Sequence, residues 1–481
     1  MCGIIGAVGT IPVKDVFEKS RDVLQHRGPD DSGLFYQPSQ NIALGHRRLS
    51  IIDLSKSGHQ PFFSNDKRFV AVFNGEIYNY IEIREELKNF YDFRTKTDTE
   101  VLLASYIQWG EKCLDKFNGM YAFAIWDVQE KKLFCARDRL GVKPFFYYFD
   151  GKTFAFASEI KALLKLGIKT EPNEPIIFDY LYYGIYDHSQ ETFFTDIKSL
   201  PPGHYLVWQT GKIKLEKYWD LADLKTKTDD SLNEKEAVER LGDLLADSIK
   251  LRFRSDVPVG LNLSSGLDSN SLYHYALQVT SGKIDAFSMC LHSEEYNECD
   301  LIDRMLNDKQ KQYWHTCFLE PPAVLGGAEE MNFIQDQPYG GIPTIAYQSL
   351  IELVKQSGVV VLLEGQGVDE ILAGYPYYKI ENEKDNWQVK EGISTLTMGQ
   401  DMSKLVFHEI LTDEFVAAHK DRPFEFPAPF SSHLLNAQYR DIRYTKLPRV
   451  LRFNDHITMR HSRELRLPFL DYRIVEFCFF L

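Results

Sequence analysis

The stretch VVVLLEGQGVDEILAGY, residues 359–375, runs from a β-branched apolar block into Gly365 and Gly367 and then into the acid pair Asp369 and Glu370. An apolar run that stops at a glycine turn reads as a strand buried on both faces, the kind found in parallel sheets. A second stretch, VPVGLNLSSGLDSNSLYHYAL at 257–277, repeats the order of apolar strand, tight loop of small residues and helix. Two such units predict an α/β domain on a parallel sheet. Ahead of them Val238, Leu241, Leu245 and Ile249 recur at helical spacing, and Ser231 with Glu234 has the form of a capping box where that helix begins.

The other half of the chain has a different character. RFVAVFNGEIYN (68–79), MYAFAIWDVQEKKLFCARD (120–138) and TFAFASEI (153–160) alternate apolar and polar residues between glycine and Asn-Gly turns, which predicts antiparallel strands with a few helices, an α+β domain. Between the halves DLADLKTKTDDSLNEKE (220–236) is charged and reads as a linker. The expected domains are therefore residues 1–215 and 230–481. KIENEKDNWQVKEG, 379–392, reads as an exposed excursion.

Composition limits what such a chain does. With 481 residues, 44% of them hydrophobic, it can bury about two to four domain cores, and no run approaches the roughly 18 apolar residues of a membrane span. A net charge of −14 argues against coating nucleic acid or anionic lipid and favours small-molecule chemistry. The seven cysteines lack CxxC or metal spacing, and the start lacks a signal peptide, so the expectation is a cytoplasmic protein without a disulfide framework.

The chain opens MCGIIGAVG. Removal of Met1 would leave Cys2 with a thiol and a free α-amine, whose reference pKa of about 7.7–8.0 suits it to act as its own general base. A thiolate attacking an amide passes through an oxyanion that needs positioned donors, and the Asn74 side-chain amide and the Gly75 N–H could supply them. Asn-Gly is also the favoured two-residue hairpin turn, and the expectation is that turn and oxyanion hole coexist there.

QHRGPDDSG around Arg27, GHRRLSIIDL around Arg48, FNGEIYN at 73–79 and KTDTE around Asp98, with Cys2, resemble the class II glutamine amidotransferases over about the first 200 residues. The resemblance implies an N-terminal-nucleophile (Ntn) hydrolase sandwich. It gives Arg48 to the glutamine carboxylate, where a guanidinium fork pairs well, and Asp98 to the α-ammonium, with Glu76 and the Ile51–Ile52 backbone nearby. Arg27 is expected to order the surrounding loop.

LSSGLDSN, 263–270, resembles the loop of the ATP-pyrophosphatase fold, with Ser265 where a glycine usually stands. A strand end followed by small residues and a helix start exposes the backbone N–H groups of Ser264, Ser265 and Gly266, and the hydroxyls of Ser264, Ser265 and Ser269 add donors for phosphate oxygens. GQGVDE resembles the second signature of the glutamine-hydrolysing asparagine synthetases, and MRHSRELRLPFLD, 459–471, a third segment of that family. By this resemblance Asp268 and Asp369 hold Mg²⁺ on ATP phosphates, and adenine and ribose lie beside Leu263, Met289 and the Glu364–Gly365 backbone. The implied reaction releases ammonia from glutamine and transfers it to a carboxylate activated as an acyl-adenylate. A homodimer is among the assemblies the resemblance allows.

Two departures bear on the acceptor. Gln366 stands where the family often carries a glutamate thought to take a proton from ammonia, and an amide cannot do so. DQPYGGIPTIAYQ, 336–348, which resembles an aspartate-recognition segment, has no arginine. RIVEFCFFL, 473–481, breaks off in mid-helix pattern, where the family continues into helices bearing a pyrophosphate-contacting lysine, so a truncated end is expected. Three readings stand: an asparagine synthetase, an amidotransferase of the same mechanism acting on another carboxylate such as a sugar uronic acid, and a weakened scaffold protein that keeps the fold. The SSGLDS loop argues against the phosphoribosyl and glucosamine-phosphate enzymes that share the first half.

Overall fold

The computed structural model describes residues 2–224, 232–293, 297–385, 410–422, 425–479 and 481. The first half holds two six-stranded antiparallel sheets built from β1 (Cys2–Val8), β2 (Asp31–Gln37), β3 (Ile42–Arg48), β4 (Phe62–Phe63), β5 (Phe69–Ile77), β6 (Gly119–Asp127), β7 (Lys132–Arg137), β8 (Phe146–Phe149), β9 (Phe154–Ala157), β10 (Ile197–Ser199), β11 (His204–Gln209) and β12 (Lys212–Lys217). The strand orders are β10-β8-β9-β1-β3-β2 and β12-β11-β7-β6-β5-β4.

Alternation along β1 explains the layering. Ile4 and Val8 meet Val70, Val72, Ala122 and Trp126 of the second sheet, while Ile5 and Ala7 turn outward onto Phe17, Leu24 and Leu163 from the covering helices. The far face of the second sheet, with Phe73, Phe123 and Phe134, packs on Val101 and Leu102 of the helix Asp98–Trp109. The result is the expected Ntn sandwich of two sheets between helices.

The second half holds a five-stranded parallel sheet of β13 (Val259–Asn262), β14 (Asp285–Cys290), β15 (Trp314–Phe318), β16 (Val361–Leu363) and β17 (Glu464–Arg466), in the order β15-β14-β13-β16-β17. The chain winds from β13 to one side through β14 and β15, then crosses to β16 on the other side. That reversal beside β13 is a topological switch point, where open α/β sheets bind ligands at the carboxyl ends of their strands. Leu261 pairs with Leu363, so loops 263–266 and 364–367 leave the sheet side by side.

Several expectations give way. Asn74 and Gly75 lie inside β5, opposite Ala122 and Tyr121, and form no hairpin turn. The helix after the linker, Glu234–Arg252, is capped by Asn233 in a reciprocal box with Glu236; Ser231 lies outside the described residues. On that helix Leu245 and Ile249 are buried but Val238 is 65% exposed, because the first two turns run outside the core. The linker begins packed, not solvated: Leu221 is buried, and Asp220 accepts a hydrogen bond from Tyr439 Oη at 2.9 Å. Residues 379–385 finish the helix Pro376–Asp385, and 386–392 lie outside the described residues. Cys290 and Cys299 form a disulfide, against the expectation from cysteine spacing; Cys2, Cys113, Cys135, Cys317 and Cys478 are free. The spacing argument failed because a single bridge between a strand end and the next helix leaves no repeating cysteine pattern. No described helix is long and apolar enough to cross a membrane.

Candidate active sites

Cys2 begins β1, buried, opposite Arg48 on β3. Its N–H donates to Asn74 Oδ1 at 3.0 Å, and Arg27 Nε donates to its carbonyl at 3.1 Å. With its oxygen so engaged, the Asn74 amide turns Nδ2 the other way, where this buried donor finds no partner among the described residues. Gly75 is required by space, since a Cβ there would stand 2.1 Å from the Met120 carbonyl oxygen. Burial raises the Cys2 thiol, opposed by the positive amino terminus, the Leu49 amide and Arg48.

Around it gather the other residues of the first-half motifs. Asp98 opens the helix Asp98–Trp109 behind its Thr97 cap and accepts the Ile77 N–H at 3.0 Å. Burial nevertheless pushes its carboxyl up to about 6. Glu76, also buried, is raised well above the usual range by burial and by the charges of Asp98 and Glu464, and its Oε2 has no partner among the described residues. Such a buried, only partly compensated acidic pair suits an ammonium ligand. Arg48 donates to the Ser55 carbonyl at 2.8 Å and the Asp53 carbonyl at 2.5 Å, so its fork organises the loop carrying Ile51 and Ile52. A cavity of about 860 Å³ opens beside it, lined by Arg48, Ser50, Ser55, Val257 and Arg463.

Sequence reasoning missed the charges that join the halves. Arg27, fully buried, donates to Glu159 Oε1 at 2.9 Å and to Asp455 Oδ2 at 2.7 Å, and Lys143 Nζ lies 3.5 Å from Asp455 Oδ1. Burial disfavours the Arg27 charge, but Asp455 and Glu159 more than offset it. Arg466, from β17, donates to Glu464 at 2.6 Å and approaches Glu76 at 3.8 Å. The one signal in sequence was the Asn454–Asp455 pair inside an otherwise amphipathic helix, Leu447–Arg460. Asp455→Ala is expected to destabilise the protein by about 3 kcal/mol, because it strands part of a buried guanidinium; a lower urea midpoint by tryptophan fluorescence checks this.

At the sheet's switch point, Leu263–Gly266 lead into the helix Leu267–Val279. Ser264 and Ser269 are not both turned outward as donors: their hydroxyls lie 2.8 Å apart and brace the loop, with Ser269 Oγ accepting the Ser264 N–H at 3.1 Å. The Ser265 N–H donates to Glu298 at 2.8 Å. Met289 is partly buried on the neighbouring β14, whose Ser288 hydroxyl donates to the Leu263 carbonyl at 2.6 Å. Gly365 packs on Asp268, where a Cβ would stand 3.3 Å from the Asp268 Cβ. Gly367 has φ +95° and faces Leu470, which a Cβ would meet at 2.1 Å, so both its conformation and its space demand glycine.

The acid pair divides. Glu370 is buried and accepts from Tyr375 Oη at 2.9 Å, whereas Asp369 stays partly exposed and faces Asp268. Burial and the charge of Asp369 push Asp268 up to about 6; burial raises Asp369, with Lys446 acting against it. Gln366 is partly exposed, and among the described residues its side chain has no hydrogen-bond partner, so it does not brace the turn.

With both sites in view, the chain's relatives can be compared. Residues 1–219 match the glutamine amidotransferase domain and residues 240–481 match asparagine synthase. The chain belongs to the asparagine synthetase family. Among its relatives, a Methanocaldococcus jannaschii protein provisionally named asparagine synthetase [glutamine-hydrolyzing] 2 is 36% identical, over 78% of this chain and 76% of its own. Asparagine synthetase [glutamine-hydrolyzing] 3 of Bacillus subtilis is 30% identical over 99% of this chain and 80% of its own. Amidase chry2 of Gibberella zeae is 26% identical over 97% and 78%. As a member of the asparagine synthetase family the chain is a glutamine amidotransferase and ATP-using amide ligase.

Proposed function

We propose that Cys2 hydrolyses glutamine and that the ammonia released is joined, at the switch point of the second half, to a carboxylate activated by ATP as an acyl-adenylate. The observation that carries the reading is the contact of Cys2 with Asn74 in one half together with Asp268 facing Asp369 across neighbouring strand ends in the other. The Cys2 α-amine takes the thiol proton, and the thiolate attacks the glutamine amide. Asn74 Nδ2 and the Gly75 N–H stabilise the oxyanion. Arg48 and the Ile51–Ile52 backbone receive the glutamine carboxylate end, and Asp98 with Glu76 its α-ammonium.

In the second half the loop Ser264–Gly266 cradles phosphate at the helix start: Glu298 yields the Ser265 N–H, and the Ser264 and Gly266 N–H groups, held in the loop by the Ser269 and Ser264 hydroxyls, turn to phosphate as it binds. Leu263, Met289 and the Glu364–Gly365 backbone flank the nucleoside, and Ser269 holds the loop in shape. Asp268 and Asp369 fit Mg²⁺, since they are partly exposed carboxylates near enough that the charge of Asp369 disfavours ionisation of Asp268. Bound there, the cation supplies charge neutralisation on phosphate oxygens. A cytoplasmic setting, which keeps Cys2 reduced, goes with this reading; the Cys290–Cys299 bond runs against a strongly reducing one.

The acceptor we infer is a carboxylate other than aspartate, such as a sugar uronic acid, bound with Gln366 as donor to a neutral group. The unpartnered Gln366 amide and the lack of arginine in 336–348 support this. Gln366→Glu is expected to cost roughly 1–3 kcal/mol of transition-state stabilisation and not to rescue asparagine formation. Product analysis with aspartate and ammonium checks it, and brisk asparagine synthesis by the native chain would refute the acceptor assignment.

A further inference from the structure

Glu364 directly follows β16, with its carboxyl buried and in contact with three other segments. Oε1 accepts from Tyr347 Oη, on the helix Ile342–Ser357, and from Asn262 Nδ2 on β13; Oε2 accepts from Asn454 Nδ2 at 3.2 Å. Among the described residues no lysine, arginine or histidine pairs with it. Burying a carboxylate without a countercharge is costly, and three neutral donors offset only part of that cost. The group also sits one residue before Gly365, which packs on Asp268.

Resting on the reading above, we propose that Glu364, aligned by Tyr347, Asn262 and Asn454, is the base that takes a proton from ammonia as it attacks the acyl-adenylate. The nitrogen lone pair forms the C–N bond, the bond from the acyl carbon to the AMP oxygen breaks with its electrons leaving on AMP, and one ammonia proton passes to the Glu364 carboxylate. Gln366, two residues on, has no basic atom for this task.

Three observations agree. Burial pushes the Glu364 carboxyl up to about 7, against its three hydrogen bonds, which poises it to accept a proton near neutrality. Asn262 Oδ1, on the amide that touches Glu364, is buried without a partner among the described residues and is free to accept an N–H from ammonia. The helix that carries Asn454 carries Asp455 next to it, and Asp455 holds the Arg27 that binds the Cys2 carbonyl. One helix thus touches both Glu364 and, through Arg27, the Cys2 backbone.

The test separates activation from amide formation. A carboxylate panel including L-aspartate and D-glucuronate is assayed with Mg-ATP and ammonium for acceptor-dependent ATP–pyrophosphate exchange and for amide. Glu364→Gln is expected to keep glutaminase activity and exchange within about threefold but to lose about 100-fold or more in amide formation. In the native enzyme amide formation should rise with pH through about 7. Tyr347→Phe should move that rise to higher pH, because it removes a donor that favours the ionised carboxylate. Undiminished amide formation in Glu364→Gln would overturn the proposal, as would loss of exchange in parallel with amide, or an unmoved pH profile in Tyr347→Phe. If the native enzyme supports no exchange with any carboxylate, the activation reading itself fails and the base assignment falls with it.

Discussion

Cys2→Ala is expected to lower glutamine hydrolysis below about one part in a thousand while synthesis from added ammonium salts stays near the native rate. The sulfur is the only nucleophile proposed in the first half, and alanine fills the same buried position at the start of β1 without disturbing the Asn74 contact, which uses the backbone N–H. The second half receives ammonia either way, so only its source changes. The measurement is glutamate release beside amide formation at saturating ammonium. Retained glutaminase activity would remove Cys2 from the chemistry.

Asp369→Asn is expected to have the opposite pattern: glutaminase activity persists and AMP release falls by at least the order of 100-fold. Loss of even an outer hydrogen-bond partner of a metal ligand costs about 10–100-fold, and loss of the ligand's charge should cost no less. The amide is isosteric, so the close approach of Asp369 Oδ1 to Gly374 survives, and a folding defect is not expected. AMP measured across a magnesium titration reads the effect. Normal AMP release at ordinary magnesium would return the acid pair to a structural role.

Much of the architecture was legible because it depends on short-range periodicity. Ile4 and Val8 against Ile5 and Ala7 give the two faces of β1 directly, and the apolar run ending at Glu364 gives a buried parallel strand. Asn74-Gly75 was misleading for a physical reason. The dipeptide favours a turn locally, but here nine residues of β5 pair with β6, and glycine is needed because its φ is +156° and the Met120 carbonyl on the next strand crowds a Cβ. The cap two residues beyond Ser231 is the same kind of error, since Asn233 offers an equally good acceptor. Contacts such as Arg27 with Asp455, 428 residues apart, leave no local pattern. Nor does a lone glutamate reveal that Asn262, Tyr347 and Asn454 converge on it.

The account's central claim is that one chain makes ammonia at Cys2 and spends it on an AMP-activated carboxylate. The direct measurement supplies Mg-ATP, glutamine labelled with ¹⁵N in its side-chain amide and a panel of carboxylates, and follows AMP, ADP and the new amide by mass spectrometry. The account predicts a carboxylate that yields AMP and a ¹⁵N-amide in equal amounts, with both products lost in Asp369→Asn and only the labelled amide lost in Cys2→Ala when unlabelled ammonium is added. Formation of ADP in place of AMP, or glutamine hydrolysis with no amide from any carboxylate, would contradict it.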